Sequence, residues 1–86
     1  MHEAHLMRDL MQRIVAVAQE NDARRVAGVR VWLGALSHFT PAHFEEHFRD
    51  SSRDTLAEGA HVACELSDDA RHPDAQGVRL LSIEVG

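Results

Sequence analysis

The chain has 86 residues, and its nine arginines, fourteen acidic residues and complete lack of lysine give a net charge of −5 at pH 7 with the histidines neutral. A chain of this length buries about 60–65% of its unfolded surface, which predicts a single domain over residues 1–86 without a deep enclosed active site. The net negative charge without a basic tract argues against a protein that binds nucleic acid or an anionic membrane surface.

An amphipathic helix over residues 4–20 is the first predicted element, and Asn21-Asp22 ends it. Apolar residues recur there at the three- and four-residue spacing of one buried helical face. They are Leu6, Met7, Leu10, Met11, Ile14, Val15, Val17 and Ala18. This stretch lacks the apolar core of a signal peptide, and the sequence has no run of about 20 apolar residues. We therefore predict a cytoplasmic protein that does not span a membrane.

Three strands are predicted from the period-two alternation of apolar side chains. They cover VRVWL (29–33), AHVACEL (60–66) and VRLLSIEV (78–85). The residues expected to face the core are Val29, Val31, Leu33, Val62, Cys64, Leu66, Leu81, Ile83 and Val85. Cys64 is interpreted as a small buried hydrophobic residue, and a single cysteine allows neither an internal disulfide nor a CxxC zinc site.

The segment FTPAHFEEHF predicts a second helix through several independent signals. Thr40 is suited to the N-cap, and Pro41 to the first helical position, where a missing N–H has no consequence. Phe39 and Phe44 have the spacing of a hydrophobic staple. We expect this helix to end near Asp50.

The order α-β-α-β-β predicts an α/β (α+β) fold in which two helices pack on one face of a mixed three-stranded sheet. A crossover that contains a helix favours parallel pairing of the first two strands. The last two strands, joined by the short linker 67–76, are expected to be antiparallel. Arg30, Trp32 and Leu80 would lie on the face away from the helices as candidates for a protein interface, and open strand edges would allow a homodimer.

The second helix also contains HFEEH, which matches the H-x-x-E-H pattern of inverted zinc proteases. His43 and His47 lie four residues apart, so they share a helix face and could hold a metal. A hydrolytic zinc site needs a third protein ligand and a cleft, and neither is evident in so small a chain. The pair can equally be two exposed histidines. Because no nucleophile–base pair or phosphate loop occurs, we predict that the protein is not an enzyme.

The N-terminal residues Met1, His2 and Glu3 supply the donor atoms of a square-planar metal site. The Met1 amine, the His2 amide nitrogen and the His2 imidazole Nδ1 can close two fused chelate rings, and the Glu3 amide nitrogen could complete the plane. Such donors favour Ni(II) or Cu(II) over Zn(II), and their affinity falls in acid because amide nitrogens bind only when deprotonated. His5 is a candidate accessory ligand. Spacing alone leaves open that His2 is only a solvated side chain.

The sequence resembles the HypA family from residue 1 to about residue 66, and again in its last strand. The resemblance rests on MHE before an amphipathic helix, on VRVWLGALS, on the FTPAHFEEHF helix and on TLAEGAHVACEL. Members of this family are nickel metallochaperones for NiFe-hydrogenase maturation and, in some bacteria, for urease. The resemblance implies that His2 and backbone nitrogens hold Ni(II) at the terminus, with a contribution from Glu3. It also implies delivery through a HypB-type GTPase toward the hydrogenase large subunit.

The sequence departs from the family between its last two strands. Family members carry a zinc-binding module with two CxxC pairs there, whereas residues 67–76, SDDARHPDAQ, contain no cysteine. We therefore expect Ni(II) but no zinc. Two other functions stay open. One is a metal-independent adaptor in hydrogenase or urease maturation that docks through Trp32 on the open sheet face, and the other is a metal buffer built from scattered histidines.

Overall fold

The computed structural model describes the backbone of residues 2–86 and the side chains of residues 5–86. Its elements are α1 (His2–Glu20), β1 (Val26–Leu33), α2 (Pro41–Ser51), β2 (His61–Leu66) and β3 (Val78–Val85). The predicted order α-β-α-β-β is confirmed, although β1 begins earlier than the VRVWL segment indicates. Within residues 2–86, no helix is both long enough and apolar enough to cross a lipid bilayer.

The three strands form one mixed sheet in the order β2-β1-β3. β1 and β2 run parallel, from the pair Gly28–His61 to the pair Leu33–Leu66, as expected for strands joined by a helical crossover. β3 pairs antiparallel with β1 on its other side. The last two strands therefore run in opposite directions as predicted, but they are not neighbours because β1 lies between them.

The hydrophobic core lies between the sheet and the two helices. Its largest fully buried apolar side chains are Phe44, Phe48, Ile14, Leu33, Val26 and Val31. α1 contacts β3 and α2, and α2 contacts β2. The two helices thus cover one face of the mixed sheet, which confirms the predicted fold class.

The start of α2 is built as its sequence predicts. Thr40 is the N-cap, and its side-chain oxygen accepts a hydrogen bond of 3.1 Å from the backbone N–H of His43. Pro41 follows in the first turn. The rings of Phe39 and Phe44 pack edge to face with centroids 5.4 Å apart, which is the contact of a hydrophobic staple. These contacts fix the first residue of α2 and therefore the direction in which each of its faces points.

Leu81, Ile83 and Val85 of β3 were predicted to face the core, and this prediction is correct for Ile83 only. Ile83 packs against the core, but Leu81 is 44% exposed and Val85 is 51% exposed. Leu66, at the end of β2, is also 60% exposed, so its predicted place in the core is wrong.

A β-bulge explains the failure of simple alternation in β3. Arg30 pairs with Ser82 and Val31 pairs with Leu80, so Leu81 has no partner on β1. One extra residue in one strand reverses the facing of every side chain beyond it. Leu80 therefore points toward the core and packs against it, while Leu81 points to solvent.

The linker 67–76 and the following Gly77 are held against the end of β1 by backbone hydrogen bonds. The Ser67 N–H donates to the Leu33 carbonyl at 2.9 Å, and the Gly34 N–H donates to the Gly77 carbonyl at 2.9 Å. Ala75 is buried beside Gly34. A Cβ atom at Gly34 would lie 2.2 Å from the Ala75 carbonyl oxygen, so only glycine permits this approach of the two backbones. The linker is thus a packed part of the fold.

Candidate metal centre

The predicted N-terminal site lies mostly outside the described part of the chain. Met1 is outside them, and the structure describes His2 and Glu3 by their backbone alone. Both belong to the first turn of α1. The first four N–H groups of an α-helix have no acceptor within the helix, so the hydrogen bonds of α1 do not require the amide nitrogens that the predicted site would use. The ligand set Met1, His2 and Glu3 stays a prediction.

His5, the predicted accessory ligand, is exposed one turn further along α1. Its Nδ1 lies 2.7 Å from Nη2 of Arg8. A guanidinium can only donate hydrogen bonds, so Nδ1 is the acceptor and Nε2 carries the ring proton. Nδ1 of His5 would therefore have to leave Arg8 before it could bind a metal.

The open face of the sheet carries an ion pair and a covered tryptophan. Arg30 donates to the Glu65 carboxylate at 2.9 Å, with both side chains about half exposed. Trp32 is half-buried, and its ring centroid lies 4.8 Å from that of His72 in the linker. The His72 Nδ1 in turn accepts a hydrogen bond of 2.9 Å from the backbone N–H of Asp74. The chain's own linker thus covers part of the ring that the interface hypothesis left open.

Leu80 does not belong with Trp32 and Arg30 on this face, and that prediction was wrong. The bulge at Leu81 turns Leu80 toward α1, where it lies beside Leu6 and Leu10. A candidate interface on the open face therefore keeps Arg30 and Trp32 and loses its aliphatic member.

The two histidines of HFEEH meet on one face of α2. The Nε2 atoms of His43 and His47 are 2.9 Å apart, and the two rings pack edge to face with centroids 4.5 Å apart. Both rings also contact Phe39, at 6.0 and 6.3 Å between centroids. Among the side chains of residues 5–86, no cluster of three or more His, Cys, Asp or Glu residues is placed to hold a metal. Within these described side chains the pair supplies two ligands, whereas hydrolytic zinc requires three.

Cys64 is half-buried on β2 rather than fully buried as its pattern predicts. Burial, and secondly the nearby carboxylate of Glu45, raise the pKa of the Cys64 thiol above its ordinary value of 9.0. A thiol with a raised pKa is a poor nucleophile and a poor metal ligand at neutral pH, in agreement with the interpretation of Cys64 as a packing residue.

An apolar groove of about 670 Å³ between α1 and α2 was not predicted. Met7, Met11 and Val15 line one side of it, and His47 and Thr55 line the other. The signal in the sequence is the width of the apolar face of α1. α1 contacts both β3 and α2, and one row of its apolar face, Met7–Met11–Val15, lines the groove.

Comparisons with known proteins point to one family. The family model described as "HypA: Hydrogenase/urease nickel incorporation, metallochaperone, hypA" matches residues 1–86. The chain is also similar to the hydrogenase maturation factor HypA of Archaeoglobus fulgidus, with 33% identity over 60 residues. That alignment covers 70% of this chain and 54% of the archaeal protein. The chain thus spans about half the length of the curated relative that it matches.

Proposed function

Because the chain belongs to the HypA family, we propose that it is a nickel metallochaperone that holds Ni(II) at Met1, His2 and Glu3 and passes it to a maturation partner. The predicted resemblance to this family is confirmed by the match over the whole chain. The family is described as one of metallochaperones, which carry a metal rather than catalyse a reaction, and this agrees with the prediction that the chain is not an enzyme.

The observation that carries the proposal is the match from residue 1 onward, together with a helix that begins at His2. The Met1 amine, the His2 amide nitrogen and the His2 Nδ1 would form two fused chelate rings around the ion. In-plane nitrogen donors select a square-planar ion such as Ni(II). Glu3 would add its amide nitrogen or lie beside the site.

Delivery would proceed by ligand exchange at the terminus. The family's role in hydrogenase and urease nickel incorporation supports partners in that machinery, and a HypB-type GTPase followed by the hydrogenase large subunit are the partners that we propose, in the cytoplasm. We assign no zinc to the chain. Residues 67–77 contain no cysteine and pack on β1 through their own backbone.

A nickel titration of the untagged protein tests the site, beside His2→Ala and a variant with one glycine added before Met1. The added residue moves the amine away from His2 and breaks the first chelate ring while every side chain is kept. We expect a square-planar absorption band that saturates at one equivalent in the native chain and is lost in both variants. His61→Ala is the matched control and should keep the band. An identical band in the native and extended proteins would refute the site.

The alternative, a metal-independent adaptor that docks through the open sheet face, has less support. Trp32 packs on His72 of the same chain, and Leu80 points the other way. The outer strands β2 and β3 still leave one edge each for pairing, so the homodimer stays a prediction. Loss of hydrogenase maturation in His2→Ala with normal maturation in Trp32→Ala would support the chaperone, and the reverse would support the adaptor.

A further inference from the structure

β3 is an outer strand of the sheet, and apolar side chains on it face solvent. The order β2-β1-β3 leaves one side of the β3 backbone without a neighbouring strand within residues 2–86. Leu81 is 44% exposed and Val85 is 51% exposed. An open strand edge with exposed apolar side chains is a template for pairing with another strand. The β-bulge at Leu81 determines which strand can fit.

The bulge makes β3 symmetric about its centre. On one side of it, Leu80 packs against the core and Arg79 lies opposite Trp32 on the open face. On the other side, Ile83 packs against the core and Glu84 lies on the open face. In a regular strand, side chains alternate between the two faces, so residues 79 and 84 would lie on opposite faces. Because of the extra residue, β3 presents the same order of faces when it is read in either direction.

A second copy of β3, placed antiparallel along this edge, is complementary to the first in charge and in apolar contacts. With a two-fold axis through the bulge, Arg79 of each copy would lie opposite Glu84 of the other, and Leu80 would lie opposite Ile83. Directly opposed residues of antiparallel strands share a face and contact each other. The two-fold axis repeats each contact, so one interface would contain two ion pairs on the open face and two apolar pairs on the core side. The exposed Leu81 side chains of both copies would meet near the axis.

We propose that two copies of the chain associate through β3 in this register and join their three-stranded sheets into one sheet of six strands, an ordinary size for a sheet. A bulge normally protects an edge, because a regular strand that pairs with one half of it is out of register with the other half. A strand with the same bulge at the same level stays in register over both halves. The irregularity that excludes other strands therefore selects a second copy.

The side chains of this interface are available for it. Nη1 of Arg79 lies 3.7 Å from Oδ2 of Asp74, and both side chains are more than half exposed, so this ion pair is weak and can be exchanged. Glu84 is exposed. A groove of about 340 Å³ between α1 and β3 has Leu80 in its lining. α1 therefore does not seal the strand at Leu80, and an opposing Ile83 has space beside it.

Sedimentation equilibrium of the untagged chain, from low to high micromolar concentration and with EDTA present, tests the proposal. EDTA excludes dimers bridged by a metal, so the result does not depend on the proposed nickel function. We expect a reversible dimer whose population rises with concentration.

Charge reversal tests the register. Arg79→Glu and Glu84→Arg each place like charges opposite one another across the interface and should weaken the dimer at least about 10-fold. An equimolar mixture of the two single variants should form a heterodimer, because each reversed charge then faces an opposite one. The double variant should associate with itself like the native chain. Loss of folding in the single variants could not produce this recovery.

Arg53→Glu is the matched control, because it makes the same charge reversal at an exposed residue that follows α2 and should leave the dimer unchanged. Amide hydrogen exchange of the native chain gives a second readout that needs no variant. Amides of β3 should become protected as the concentration rises, and those of β2 should not. The interface is refuted if the native chain stays monomeric, if Arg53→Glu weakens the dimer as much as Arg79→Glu does, if the mixed single variants do not associate, or if β2 gains the protection. A failure of the terminal nickel site would leave these results unaffected.

Discussion

The two sides of β1 are held in different ways. On one side the chain passes through α2 to β2, and the contact depends on buried rings, with Phe44 and Phe48 almost inaccessible to solvent. On the other side it reaches β3 through a linker that contacts β1 by backbone hydrogen bonds around Gly34. The first side is stabilised mainly by apolar burial and the second by the close fit of two backbones. Each side should therefore respond to a different kind of substitution.

Removal of a ring on the α2 side should have the largest effect on stability. Phe44 is fully buried, and Phe44→Ala should lower the free energy of unfolding by about 3–5 kcal/mol because it leaves a cavity as well as losing apolar burial. Urea denaturation monitored by circular dichroism measures the change. Leu66→Ala, at a residue 60% exposed on the same side, should change it by less than about 0.5 kcal/mol. Equal effects of the two would contradict the assignment of the core.

Addition of a methyl group should be the damaging change on the linker side. Gly34→Ala would place Cβ 2.2 Å from the Ala75 carbonyl oxygen, and the linker must move, at a cost of about 1–3 kcal/mol. Trp32 fluorescence should shift to the red as His72 moves away. The control is Gly77→Ala, whose Cβ would lie 3.5 Å from the Asp74 carbonyl oxygen and meets no clash. A Gly34→Ala protein as stable as the Gly77→Ala protein would show that the linker backbone does not approach Gly34 closely.

The bulge in β3 makes neighbouring leucines unequal. Leu80 packs against the core, and Leu80→Ala should lower the free energy of unfolding by about 1–2 kcal/mol, less than for a fully buried leucine. Leu81→Ala should change it by less than about 0.5 kcal/mol, because this side chain is 44% exposed. Denaturation of the two variants under one set of conditions measures the difference. If Leu81→Ala were the more damaging, β3 would follow simple alternation after all.

The smallest effect concerns the Cys64 thiol. Burial and Glu45 raise its pKa above 9.0, so at pH 8–9 the folded protein has less thiolate than the unfolded chain, and alkylation by iodoacetamide should be slower than in urea. Because the folded-state pKa of the thiol is the higher one, its titration also affects stability. Its contribution to the free energy of unfolding is fully present below pH 9 and is lost as the pH rises through the folded-state pKa. Glu45→Gln should speed alkylation and Glu46→Gln should not. Equal rates in both variants would exclude Glu45 as a cause.

Local signals in the sequence sufficed wherever neighbours along the chain determine the structure. The cap at Thr40 and the staple of Phe39 and Phe44 each involve residues fewer than six apart, and both were predicted correctly. The bulge at Leu81 was not, because it depends on how β3 pairs with β1 across a long separation in sequence, and alternation within β3 alone cannot reveal an extra residue.

The candidate site residues divide in the same manner. The shared helix face of His43 and His47 follows from their spacing, whereas the 2.9 Å between their nitrogens depends on rotamers set by packing against Phe39. The contact of Trp32 with His72 could not be predicted, because it requires the path of the linker over the sheet. The metal site at Met1, His2 and Glu3 stays a prediction, which the sequence alone could suggest because all its donor atoms belong to consecutive residues.

The position of the two linker ends indicates where a protein of this fold can accept an insertion or a deletion. Ser67 follows the last residue of β2, and Gly77 precedes the first residue of β3. Ser67 is hydrogen-bonded to Leu33, the last residue of β1, and Gly77 to Gly34, the residue after it. Both ends of the linker are thus bonded at the same end of β1, and residues Asp68 to Arg71 between them are exposed. A whole folded module could be gained or lost between these points as an appendage, while the three strands and two helices keep their positions.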